Sequence, residues 1–366
     1  MTDNGKLVDD QELLDQMIND WQSDSAYEES SGGVHDLYTN FVDDLTSLGL
    51  TGCIDNRVRG VTAINGCDAH PTRAPHAKLD MNDFINAETK SAVRKTLDLV
   101  YEDREAPVLP YDLSLADLDD TAFRLCELSG QIAGVRPLSE FKMSDVLRPE
   151  YTFTKNGNQY SYPVLYSYLH YVNCARHVDF EEVENIIEIG PGAGRQVEVI
   201  RKFHPHINFY LLDVAPTLYF CERFLSATFP DAVIPYRDIR EQEQFSIEGV
   251  GRIAHLGHGK IENLRPVGQT LSFNTAVFCL MSPVDAERYF RQLMTLANMF
   301  YVCEPKRPDC TDIYGIAESA CLDDIERFLA EEFDLLESER AIMPLGYKKG
   351  FGDFYSAVWR RERDQQ

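Results

Sequence analysis

No stretch of this chain approaches the ~18 consecutive apolar residues that a membrane-spanning helix needs. Positive charge is scarce as well: 35 Lys and Arg stand against 60 Asp and Glu in 366 residues, a net charge of −25. A chain so short of basic side chains repels nucleic-acid phosphates and avoids anionic lipid surfaces. The nine cysteines form no Cys-x-x-Cys pair, which excludes a zinc ribbon or a dithiol redox motif. An odd number of thiols fits ordinary buried Cys side chains. The first residues, MTDNGKLVDDQELL, lack the apolar core of a signal peptide. A soluble, cytoplasmic protein is expected, with no nucleic-acid or membrane partner. No internal repeat is found.

Apolar residues make up 44% of the chain, enough for a sizeable core. The length allows two domains, or one with a large extension. Residues 1–150 carry most of the acidic excess and read as helices between loops. Leu13, Leu14, Met17, Ile18 and Trp21 recur at helical spacing, as do Leu37, Phe41, Leu45 and Leu48, with Gly49 as a stop. Ser114 and Asp117 resemble a capping box, and residues 51–75 read as a long loop. This acidic helical region is expected to act as a lid or substrate cap.

From residue 151 the pattern changes. Strands are expected at 183–189, 207–212, 252–256, 271–273, 299–303, 335–340 and 354–359, with helices at 195–203, 216–229, 285–299 and 323–333. Such alternation predicts an α/β fold in residues 151–366: a doubly wound, mostly parallel sheet behind an N-terminal helical region.

The most informative segment is Ile186-Ile187-Glu188-Ile189-Gly190-Pro191-Gly192-Ala193-Gly194-Arg195. It reads as a buried strand, a glycine turn and a helix, placed where open parallel sheets bind ligands. Dinucleotide sites use GxGxxG, whose third glycine lets helix and strand pack closely. Here that position is Arg195, and Glu188 stands two residues before the first glycine. A carboxylate there repels a diphosphate but suits the ammonium and sulfonium of S-adenosylmethionine. Asp213, at the end of the second strand, is placed to accept hydrogen bonds from ribose hydroxyls. A nicotinamide cofactor and a purely structural turn remain as rival readings.

Residues 188–195 with Asp213 resemble the class I, Rossmann-like methyltransferases. The wider stretch of residues 160–310 is similar to a group described as sugar O-methyltransferases. It does so through YPVLYSYLHYVN at 162–173, Asp213-Val214-Ala215-Pro216-Thr217-Leu218, Phe273-Asn274-Thr275, Tyr289-Phe290 and Phe300-Tyr301-Val302-Cys303. The resemblance implies S-adenosylmethionine as cofactor, held by Glu188, Gly190, Pro191, Gly192, Gly194, Asp213 and Asn274. It implies methyl transfer to a hydroxyl of a small molecule, such as a sugar or a sugar-bearing natural product. It also implies an acidic residue before Met281, where this chain has Leu280. That departure keeps a non-catalytic, adenosylmethionine-binding protein as an alternative beside an NAD(P)-dependent oxidoreductase.

Methyl transfer to an alcohol benefits from a base near the acceptor. His258 and Glu304 are the catalytic candidates at strand ends, with His255 a packed alternative. Tyr160, Tyr162, Tyr166, Tyr168, His170 and Tyr171 either wall the cofactor or pack a helix on the sheet. Asp213, Asp238 and Glu304 are the acids that a divalent ion would need, though no ligand spacing demands one. Residues 343–350 join two late strands and read as an exposed basic loop. Assembly into a homo-oligomer stays open.

Overall fold

The computed structural model describes residues 7–23, 33–55, 115–146, 152–306, 318–341 and 354–361. Strand β1 (Phe153–Lys155) and strand β2 (Asn158–Tyr160) form a small hairpin. The central sheet comprises β3 (Asn185–Ile189), β4 (Asn208–Asp213), β5 (Val233–Ile234), β6 (Ile253–Gly257), β7 (Thr270–Thr275), β8 (Met299–Pro305), β9 (Phe333–Arg340) and β10 (Phe354–Arg361). Their spatial order is β5-β6-β4-β3-β7-β8-β10-β9. All neighbours from β5 to β8 are parallel, and β10 runs antiparallel to both β8 and β9. The α/β expectation, a mostly parallel sheet behind N-terminal helices, is met.

The order has one consequence for function. From β3 the chain moves outward to β4 and beyond, then returns to the other side of β3 as β7. The crevice at the carboxyl ends of β3 and β7 is therefore the switch point at which open sheets of this type bind ligands.

The helices are α1 (Gln11–Ser23), α2 (Gly33–Asp55), α3 (Leu115–Ala133), α4 (Tyr162–Ala175), α5 (Arg195–Phe203), α6 (Ala215–Thr228), α7 (Tyr236–Ile239), α8 (Pro283–Leu296) and α9 (Leu322–Leu329). Helix α8 starts as sequence rules require, with Ser282 accepting from the Asp285 amide and Pro283 in the first turn. The parallel strands are buried on both faces. Ile186, Phe209, Leu211, Phe273 and Tyr301 join one core with α1 to α6, while Ile187, Tyr210, Leu212, Phe300 and Trp359 join a second with α8 and α9.

Leu13, Leu14, Met17, Trp21, Phe41, Leu45 and Phe123 belong to the first of these cores. Described residues from both sides of residue 150 thus share this core. Helix α1 lies along α6, tied by polar links at both ends. Asp9 accepts from the Leu50 amide (2.6 Å) and the Tyr219 hydroxyl (3.3 Å), and Arg237 meets Asp10 at 2.9 Å. Asp20 accepts from the Tyr236 hydroxyl (2.8 Å) and pairs with Arg240 (2.7 Å). Gly49 breaks α2 as expected (φ 68°), but the chain re-enters helix afterwards, so residues 51–55 are helical rather than loop.

Asn156 and Gly157, both left-handed (φ 52° and 81°), make the β1–β2 turn. Asn-Gly is the residue pair that such a two-residue hairpin turn favours. Helix α8 stops at Leu296, three residues short of the expectation, because residues from Met299 are needed in β8. Ser114 of the expected capping box, residues 56–75 of the expected loop and the 343–350 loop lie outside the described residues. The seven described cysteines are free and buried.

Candidate functional site

Three glycines turn the chain from β3 into α5. Gly190, Gly192 and Gly194 all have positive φ (67°, 57° and 79°), a region costly for any side chain. Close approach adds a second demand. A Cβ on Gly190 would sit 2.5 Å from Val277 Cγ2, and one on Gly194 would sit 3.0 Å from Cys221 Sγ. The Gly190 amide donates to Leu212 O (2.8 Å), tying the turn to β4. Gly190 and Gly192 stay partly exposed, whereas Pro191 and Gly194 are buried beneath them.

Two carboxyl groups lie below this turn on one face of the sheet. Glu188 is buried in β3; burial first, then the charge of Asp213, pushes it up to about 8. Its Oε2 finds no hydrogen-bond partner in the structure. Asp213, the last residue of β4, is pushed up to about 7 by burial, against the pull of the Val214 and Gly192 amides. Val214 N donates to its Oδ1 at 2.8 Å. Among the described residues no basic side chain pairs with either acid. Arg195, beside them in sequence, pairs with Glu198 (2.8 Å) and lies over the Phe224 ring, away from the turn. Its bulk therefore does not fill the ligand side of the turn.

Asn274 is buried in β7. Its Oδ1 accepts from the Ile189 amide (2.8 Å) and its Nδ2 donates to Ser272 Oγ (2.8 Å). It thus fastens β3 to β7 where the turn begins.

The two catalytic candidates part company. Glu304 is fully buried at the end of β8, where Oε1 accepts from the amides of Val277 (2.8 Å) and Phe278 (2.9 Å), and Oε2 from that of Cys279 (3.2 Å). Both oxygens are thus engaged by backbone amides of the segment that follows β7. The reason is tertiary: residues 277–279 fold over Glu304, and the sequence did not show it. His258 follows β6 and is half-buried, with Nδ1 3.2 Å from the Tyr289 hydroxyl. Gly257 pairs with Asp213, so His258 lies on the Asp213 flank of the crevice. Four strand spacings of ~4.8 Å separate β6 from β8, roughly 19 Å, so His258 and Glu304 do not serve one reacting atom. Asp213 and Glu304 are three spacings apart, roughly 14 Å, and share no ion. His255 is wholly buried, and burial lowers it to about 3.

Three of the tyrosines before β3 pack α4 against its neighbours. Tyr162 donates to Asp119 (3.0 Å), Tyr168 to Arg136 O (2.8 Å), and the Tyr171 hydroxyl meets His204 Nε2 at 2.9 Å. What the sequence reading missed is the segment after β7. Ala276 is left-handed (φ 53°), its amide donates to Cys303 O (2.9 Å), and Val277 then presses on Gly190. No local signal marks it, since Ala is not a residue of the left-handed region.

No helix among the described residues is long and apolar enough to cross a membrane. No family model matches the chain, and no curated protein matches it in sequence. Solved structures do resemble it. One is the pyocyanin biosynthetic protein PhzM, with 13% identity over 53% of this chain and 54% of that one, at a TM-score of 0.37. The chain thus aligns with about half the length of that protein. A second is an O-methyltransferase from neocarzinostatin biosynthesis, bound to S-adenosylmethionine and a naphthoic acid, with 13% identity over 54% of this chain and 58% of that one, at 0.36. A third is the magnesium protoporphyrin IX methyltransferase of Synechocystis with bound S-adenosylhomocysteine, with 9% identity over 77% of this chain and 98% of that one, at 0.37. The similarity is faint in sequence and in superposition alike.

Proposed function

We propose that this chain is an S-adenosylmethionine-dependent methyltransferase acting on a hydroxyl of a small molecule, such as a sugar or a sugar-bearing natural product. One observation carries the reading: two buried carboxyl groups, Glu188 and Asp213, beneath a left-handed glycine turn and without a basic partner among the described residues. A cationic ligand supplies what they lack, and a diphosphate is repelled by them. The residues fit the cofactor on two counts. Glu188 Oε2 is an orphaned buried acceptor, and the left-handed turn leaves the backbone of Gly190 and Gly192 partly exposed with no side chain over it.

The cofactor supplies a methyl group already activated on a sulfonium. The chain's own part is to bind and orient. Backbone of 190–194 holds the ligand from below, Asp213 receives the ribose hydroxyls, and Glu188 balances positive charge. Holding acceptor and donor in line accounts for much of the rate. His258, beside Asp213, belongs with the cofactor end of the crevice. The acidic surface disfavours nucleic acid as acceptor.

Equilibrium dialysis with S-adenosylmethionine, S-adenosylhomocysteine and NADH tests the binding. Methyl-labelled donor with a panel of hydroxylated compounds tests the transfer. Retention of the first two and transfer to one acceptor are expected. Folded protein that retains neither methionine derivative overturns the proposal. Retention with no transfer to any acceptor turns it into the non-catalytic alternative.

A further inference from the structure

We infer that Glu304 is a positioning residue: its buried carboxylate moulds residues 276–281 into a wall that holds the glycine turn in its ligand-binding shape. The inference rests on the methyltransferase reading for its ligand, but the wall itself is a matter of geometry.

Three consecutive amides converge on one side chain. Val277 and Phe278 donate to Glu304 Oε1 and Cys279 to Oε2, and the Cys279 thiol adds a further hydrogen bond. Glu304 is fully buried, and no basic side chain pairs with it among the described residues, so these donors alone compensate it. Hydrogen bonds to an ionised group are the strong ones, so the wall is firmest above about pH 7, the value to which burial pushes Glu304. A neutral residue of the same shape has no equal set of acceptors to offer.

The segment so held is under backbone strain. Ala276 stands at φ 53°, a conformation that persists in a non-glycine residue only when the surroundings over-determine it. The surroundings do so from three sides. The Ala276 amide is bound by Cys303 O (2.9 Å), the next three amides by Glu304, and Met281 O accepts from Ala320 N (2.9 Å). Phe278 is locked against Phe290, with ring centroids 4.6 Å apart.

The wall meets the turn at one point. Val277 Cγ2 occupies the place beside Gly190 that a Cβ there would approach to 2.5 Å. Gly190 is otherwise tied to β4 through Leu212 O, and Ile189 to β7 through Asn274. Loosening Val277 therefore frees the one side of Gly190 that no hydrogen bond holds. Glu304 acts on the ligand through Val277 and Gly190 and touches no ligand itself.

The test uses the full chain carrying Glu304→Gln, which keeps size and removes the charge. Two readouts separate positioning from general support of the fold. In ligand-free protein, amide hydrogen exchange should speed up at 189–194 as well as at 277–279. In calorimetry, S-adenosylhomocysteine should bind about tenfold more weakly, whereas Leu45→Ala, which loosens the opposite core, should leave affinity unchanged in the folded fraction. Glu304→Asp should recover part of the affinity. If Glu304→Gln fails to fold, Val277→Ala takes its place with the same two expectations. Faster exchange confined to 277–279, with unaltered affinity, overturns the inference. Should wild-type protein bind no S-adenosylhomocysteine, the methyltransferase reading fails, and the exchange of 189–194 alone decides whether the wall holds the turn.

Discussion

Asp213 and Glu188 lie one strand apart, and each is raised by burial into the range where it titrates near neutrality. Such a pair is expensive to ionise without a counter-charge. A cationic ligand lowers both pKa values and expels protons on binding. Affinity for S-adenosylmethionine should therefore rise from pH 6 to pH 8, with proton release measurable by calorimetry in buffers of different ionisation enthalpy. A flat profile with no proton release would remove the acids from the ligand's surroundings. Asp213→Ala should cost about 1–3 kcal/mol of cofactor affinity, the scale of a hydrogen bond to a charged group. Calorimetry on the folded mutant checks it. His258→Ala should raise KM for the donor and leave the pH dependence of kcat unchanged, because His258 lies at the Asp213, cofactor end of the crevice. A lost ionisation in the kcat profile would return His258 to the role of base.

At the scale of elements, the first helices hold on by short polar ties at both ends of α1. Asp9 joins the Leu50 amide to the Tyr219 hydroxyl, and its carboxylate fills the space that a side chain on Gly49 would need, with a Cβ there 2.8 Å from Oδ2. Asp9→Ala should therefore destabilise the protein by about 1–3 kcal/mol, since it leaves a backbone donor unsatisfied. Urea denaturation followed by far-UV circular dichroism measures this. The elements themselves were largely legible. Apolar strands running into Gly190 and Asp213, and a helix beginning at Ser282-Pro283, carry their own local signals. The same locality explains the failures. Helix α8 yields its last residues to a strand register it cannot sense. The left-handed Ala276 is imposed by Cys303 and Glu304, residues 27 and 28 positions away.

Across the whole molecule, Glu188, Asp213, Glu222 and Glu304 are all buried acids pushed upward by desolvation, the first to about 8 and the others to about 7. An acid whose folded pKa exceeds its unfolded value binds more protons when folded. Above about pH 6.5, where the buried His170 and His255 are neutral folded or unfolded, the ligand-free protein should therefore lose stability as pH rises to about 8, by on the order of 1–3 kcal/mol, and bound S-adenosylmethionine should offset part of the loss. Thermal unfolding across that range, with and without the donor, measures both effects. Stability that climbs with pH instead would contradict the buried, unpaired state of these groups. The sequence by itself determined the parallel sheet, the glycine turn and the pair of acids at its base, because each depends on neighbours within a few residues: apolar period, absence of Cβ, a carboxylate at a strand end. Only the tertiary structure decided what each polar group does. Glu304 and His258 looked alike as ionisable residues at strand ends. The strand order sends one beneath three amides and the other to the rim beside Asp213, and a side chain's chemistry is set by the donors that other parts of the chain bring to it.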